Sequence, residues 1–95
     1  MIIIKIRQNS IQMRGHAGRK NLDGIDRVCA AVSALTCNLI NSLKDLTNDS
    51  IKENIKHGIT IIEWENLSDG GKLLIDSWLL GLTDINQEYN CIEFQ

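Results

Sequence analysis

The chain has 95 residues, 43% of them hydrophobic with few aromatics, which excludes a disordered segment and suits one domain over 1–95 that buries roughly 60 to 65% of its unfolded surface. Ten basic residues against twelve acidic ones give a net charge of −2, so the composition carries no nucleic-acid footprint. No apolar run approaches the roughly 20 residues needed to cross a bilayer, and the opening residues lack a signal peptide's basic and small-residue flanks.

In chain order, Ile2, Ile4 and Ile6 alternate with Ile3, Lys5 and Arg7 and predict a strand. Gln8, Asn9 and Ser10 supply a turn, and Ile11, Met13 and Gly15 continue with a period of two, completing a hairpin. His16 follows at its far end. A polar, glycine-containing loop covers 17–24, with Arg19 and Lys20 as a basic pair. Val28, Val32, Leu35, Leu39, Leu43 and Leu46 then trace one face of a helix, beside a narrower edge of Asp26, Cys29, Ser33 and Cys37.

A second hairpin is predicted from Ile51, Glu53 and Ile55, a turn at Lys56 to Gly58, and the alternating residues 59–64. Ser68 caps a second helix carrying Leu74, Trp78, Leu82, Ile85 and Tyr89, and Gly81 within it marks a close approach of another element. Cys91 to Phe94 close the chain as a short strand. The order ββαββαβ implies an α+β two-layer sandwich, two helices on one face of a mostly antiparallel sheet.

Three cysteines, Cys29, Cys37 and Cys91, form no CxxC pair. Neither a disulfide framework nor a metal site is indicated, no cofactor is implied, and a reducing cytoplasm is expected. The chemistry points to Cys29 and His16. A thiol at a helix N-terminus beside an imidazole becomes a nucleophile at neutral pH, its pKa brought to roughly 3.5–7.5. Asp26 as N-cap puts Cys29 in the first turn, whereas Asp23 as N-cap puts it a turn deeper. Asp26 has two readings, helix cap or partner of His16. Backbone N–H groups around Cys29 and after His16 are the expected oxyanion donors. Taken without further context, Cys29 reads as a small buried residue, Cys37 and Cys91 as core, and His57 as an exposed turn residue.

Gly15-His16-Ala17, a short loop, and then Asp26 and the run Val28-Cys29-Ala30-Ala31-Val32-Ser33-Ala34-Leu35 resemble the signature of the ribosomal-processing cysteine protease family, Prp. The C-terminal helix with Leu80-Gly81-Leu82, Ile85 and Tyr89 extends the resemblance over nearly the whole chain. Arg27 departs from it, standing where the family usually has an apolar residue. The resemblance implies a cytoplasmic, homodimeric cysteine endopeptidase that removes the N-terminal extension of a large-subunit ribosomal protein. It implies catalytic roles for His16 and Cys29, supporting ones for Gly15, Asp26 and Ser33, and no direct contact with nucleic acid or membrane. The alternative expectation is an idle dimeric binding module of the same fold that contacts a ribosomal or assembly partner. A thiol redox sensor is weaker still, since Cys37 lies two helical turns from Cys29.

Overall fold

Alternation of β-branched and polar residues folds Ile2–Arg7 (β1) and Ser10–Gly15 (β2) into a hairpin in the computed structural model, which describes residues 1–18 and 22–95. Their antiparallel register sets Ile4 opposite Met13 and Ile6 opposite Ile11. Side chains alternate across a strand, so Ile2, Ile4, Ile6, Ile11 and Met13 share one face. The first helix is Arg27–Leu46 (α1). A second hairpin, Ile51–Lys56 (β3) with Ile59–Trp64 (β4), leads to Asp69–Tyr89 (α2) and Ile92–Phe94 (β5).

The five strands form one sheet in the order β3-β4-β2-β1-β5, antiparallel except for β1 against β5. Both helices cover its inner face, as the predicted α+β two-layer arrangement requires. Their apolar stripes, Val28, Val32, Leu39 and Leu43 on α1 and Ile75, Trp78 and Leu82 on α2, join Ile2, Ile4, Ile11 and Ile62 in one core. Leu43 and Leu82 are fully buried, and each such side chain contributes about 1.5–3 kcal/mol relative to exposure. Gly81 lets the helices approach: a Cβ there would lie 3.1 Å from Leu35 Cδ1. Trp78 Nε1 donates to Thr36 Oγ1 at 3.1 Å, satisfying the one buried polar side chain found among the described residues.

Local chemistry fixes the ends of these elements. His57 (φ +52) and Gly58 (φ +77) make the two-residue turn of the β3–β4 hairpin, whose twist matches the flanking strands. Ser68 caps α2, its Oγ accepting from Gly71 N at 3.0 Å. The Asp49 carboxylate accepts from Ser68 N and Ser68 Oγ, and these bonds hold its pKa below the usual carboxylate value.

Several details differ from the sequence reading: Ser10 belongs to β2, opposite Arg7, instead of the turn, and Tyr89 on α2 is exposed. Lys56 belongs to β3, opposite Ile59, instead of the turn. Cys37 is exposed and not part of the core. Leu46, at the end of the predicted apolar face, is also exposed.

Candidate active site

The site forms where β2 ends, and Gly15 makes that ending possible. Its φ of +96 lies in the left-handed region, and a Cβ there would sit 2.4 Å from the carbonyl oxygen of Met1. Only glycine fits. His16 follows at once, its carbonyl accepting from Met1 N at 2.6 Å and its side chain exposed.

Asp26 is the N-cap of α1: its Oδ1 accepts from Cys29 N at 2.9 Å. That choice places Cys29 at the third helical position, inside the first turn. Cys29 is half-buried, and its Sγ accepts a hydrogen bond from Ala17 N at 3.1 Å, so the residue after His16 is tied to the sulfur. Arg27 points away and pairs with Asp23 Oδ2 at 2.7 Å, an exposed i,i+4 ion pair. Arg19 and Lys20 lie outside the described residues.

His16 and Cys29 open onto one cleft of about 360 Å³, whose walls include Gly15, Met13 and Ser33. Ser33 stands one helical turn beyond Cys29. The fold thus gathers Gly15, His16, Cys29 and Ser33 at the cleft, with Asp26 beneath Cys29 as its cap. Among the described residues the imidazole makes no hydrogen bond to the thiol. Such contacts are commonly loose before substrate arrives. Two larger hollows lie elsewhere, one around Asn48–Lys52 and Glu63–Asn66 and one between α2 and the β1–β2 turn. Neither is lined by a cysteine or a histidine.

The far wall of the cleft comes from Ile55, Gly58 and Thr60 of the β3–β4 hairpin, which the sequence reading did not anticipate. The register sets Ile55 opposite Thr60 and Thr60 opposite Met13. Ile55 is therefore an inner-face residue, yet it is 65% exposed because neither helix reaches that corner of the sheet. An alternating strand whose inner-face isoleucine outlasts the helix above it was the only available signal.

The resting thiol is not the activated one expected from its place on the helix. Burial is the largest influence and raises its pKa. The Ala17 N–H bond pulls it down, but the Asp26 carboxylate raises it by hydrogen bond and by charge, and Cys91 adds a further upward push. The balance holds the thiol's pKa above its ordinary value in the free chain. The helix N-terminus is offset by the carboxylate that caps it. The expected oxyanion donors are also engaged: Cys29 N–H bonds Asp26 and Ala17 N–H bonds the sulfur.

Replacing Asp26 with Asn should separate cap from charge, since Asn caps as well as Asp does. The pH midpoint for alkylation of Cys29 by iodoacetamide, followed by mass spectrometry, is expected to fall in Asp26→Asn relative to wild type. An unchanged midpoint would show that the carboxylate does not hold the thiol proton.

A family model described as "Cysteine protease Prp" matches residues 1–92. No curated protein matches the sequence. Among solved structures, the Staphylococcus aureus essential ribosomal processing protease Prp in complex with a covalently linked product peptide superposes with a TM-score of 0.85 at 26% identity, covering 99% of this chain and 95% of that one. The same S. aureus protease with a substrate peptide gives a TM-score of 0.76 at 25% identity and the same coverage. A protein of Streptococcus mutans is similar with a TM-score of 0.71 at 28% identity, covering 99% of this chain and 90% of that one.

Proposed function

The chain belongs to the cysteine protease Prp family, and from that premise we propose that it is an endopeptidase in which Cys29 is the nucleophile and His16 its proton acceptor and donor. The observation that carries this reading is the shared cleft, which His16 and Cys29 both line, with the residue after His16 bonded to the sulfur. The two S. aureus relatives hold a covalently linked product peptide and a substrate peptide, respectively, which supports an extended peptide as the ligand.

The reaction is acyl transfer. His16 takes the thiol proton and Cys29 Sγ attacks the scissile carbonyl carbon, giving a tetrahedral oxyanion. The oxyanion collapses as the imidazolium gives its proton to the leaving amine, and a thioester remains on Cys29. Water, deprotonated by His16, adds to the thioester; its collapse frees the carboxylate product and the thiol. Substrate entry must release at least one of the two engaged N–H groups for it to face the oxyanion, and one such donor is typically worth about 10²- to 10³-fold in rate. Asp26 acts as the cap that holds Cys29 in the first turn. Ser33 borders the path of the bound peptide, and Gly15 sets the backbone that delivers His16.

The substrate in this reading is the N-terminal extension of a large-subunit ribosomal protein. The enzyme works in the cytoplasm as a homodimer. Incubation with peptides spanning the N-termini of the organism's own ribosomal proteins tests it: one large-subunit peptide is expected to be cut at a single bond. Cleavage of none, or of many without selection, would refute the processing role.

A further inference from the structure

Folding sorts the charges of this mildly acidic chain. The register turns Lys5 and Arg7 of β1, Arg14 of β2 and Lys52 and Lys56 of β3 onto the outer face of the sheet, away from both helices. Half of the chain's ten basic residues stand there, with Glu63 and Glu93 as the only carboxylates among its twelve acidic residues that strands direct to that face. Among the described residues none of the five pairs with an Asp or Glu side chain, although Arg7 Nη1 donates to Ile6 O at 3.1 Å and to Gln95 O at 3.3 Å; the two ion pairs found use Arg27 and Lys44, which lie elsewhere. Adjacent strands are about 4.8 Å apart, so the row from Lys52 to Arg7 crosses about 14 Å of surface.

We propose that this outer face is a docking surface for the phosphate backbone of RNA. Five cations against two carboxylates give the face a net positive charge in a protein whose total is −2. Ile3, Ile59 and Ile61 lie half-buried between the cations, and the strands direct no aromatic side chain outward. An aromatic anchor of the kind that dominates protein–protein contacts is therefore missing from it. A second copy is also a poor occupant, because a twofold contact would set this cationic surface against itself. A polyphosphate needs only spaced cations, and it releases counterions on binding. The choice of RNA over other polyanions rests on the ribosomal processing reading above. Arg14 also borders the Cys29 cleft, whereas Lys5, Arg7, Lys52 and Lys56 are not among its lining residues.

The test is fluorescence anisotropy of a labelled single-stranded RNA at ionic strengths between about 50 and 200 mM. Four to five neutralised phosphates give an expected slope of log K against log salt of about −3. The triple variant Lys5→Glu, Lys52→Glu, Lys56→Glu is expected to lose binding and keep wild-type peptide cleavage, which separates this inference from the peptidase reading. Lys72→Glu, a cation on α2, is expected to bind as wild type does. Should the triple variant not fold, the neutral set Lys5→Gln, Lys52→Gln, Lys56→Gln is expected to flatten the slope by about 2. No RNA binding at 50 mM salt, a slope unchanged in the variants, or binding only to phosphatidylglycerol vesicles would overturn the proposal. So would sedimentation showing that the triple variant changes the number of copies in the assembly.

Discussion

Cys29→Ala is expected to lower peptide cleavage by at least about 10⁴-fold while leaving the fold intact, because removing the nucleophile of such a constellation leaves only what binding and oxyanion donors supply. The fold should tolerate the change: Cys29 lies at the partly exposed mouth of the cleft, and alanine is a better helix former than cysteine. His16→Ala is expected to fall by a similar factor, since the thiol's pKa is raised by burial and by Asp26 and, among the described residues that line the cleft, only His16 carries an imidazole to take its proton. The double variant should be no worse than either single one, as groups that act together lose their joint contribution once. Cleavage kinetics with the peptide identified from the panel, alongside circular dichroism of each variant, provide the check. Turnover within tenfold of wild type in Cys29→Ala would reject the nucleophile.

Gly15→Ala should be the most damaging change that adds a single methyl group. The new Cβ would meet Met1 O at 2.4 Å, and the backbone would still be held at φ +96. The left-handed conformation costs about 1–2 kcal/mol and the overlap about 1–3 kcal/mol more. Because Met1 N also bonds the carbonyl of His16, the peptide that must shift to relieve the overlap is the one that carries the imidazole. A loss of about 2–5 kcal/mol of stability is therefore expected together with a fall in kcat of more than tenfold at temperatures where the variant is folded. Gly24→Ala separates the two causes. Gly24 also has a positive φ, +79, but a Cβ there meets nothing, so only the conformational cost is expected, with kcat near wild type. Equal effects on kcat at the two positions would show that the close approach to Met1 does not position His16.

Much of the fold was legible because its signals are local. Ile2 to Ile6 against Ile11 to Met13, the Ser68 cap and the helical spacing of Val28 to Leu43 each need only neighbours in the chain to be read. Gly81 too declared itself, as a glycine inside a helix that packs against Leu35. His16 and Cys29 were both visible as types, and the sequence resemblance placed them together; their arrival at one cleft depends on α1 crossing the end of β2. What escaped was set by long-range register. The wall made by Ile55 and Thr60 exists because β3 extends past the cover of the helices, and no local pattern reports where a helix stops relative to a strand two elements away. The same holds for Cys37, which α1 leaves exposed.

Electrostatics followed the same rule. In one dimension Asp26 was either a cap or a partner of His16; the structure makes it the cap of α1, through a carboxylate that accepts from Cys29 N and also raises the thiol's pKa. A thiol whose pKa is raised by burial and by a neighbouring carboxylate is less open to stray alkylation and oxidation, which proceed through the thiolate. The clustering of Lys5, Arg7, Arg14, Lys52 and Lys56 is likewise invisible in a net charge of −2, because it is created by three strands in one register.

The account stands on a covalent bond between Cys29 and the acyl half of the substrate. Wild-type protein mixed with its cleavable peptide, quenched in acid and measured as intact mass, should gain the mass of the N-terminal fragment less water, and fragmentation should place the adduct on Cys29. Continued cleavage with the adduct on Cys37 or Cys91, or the same adduct in Cys29→Ala, would contradict it.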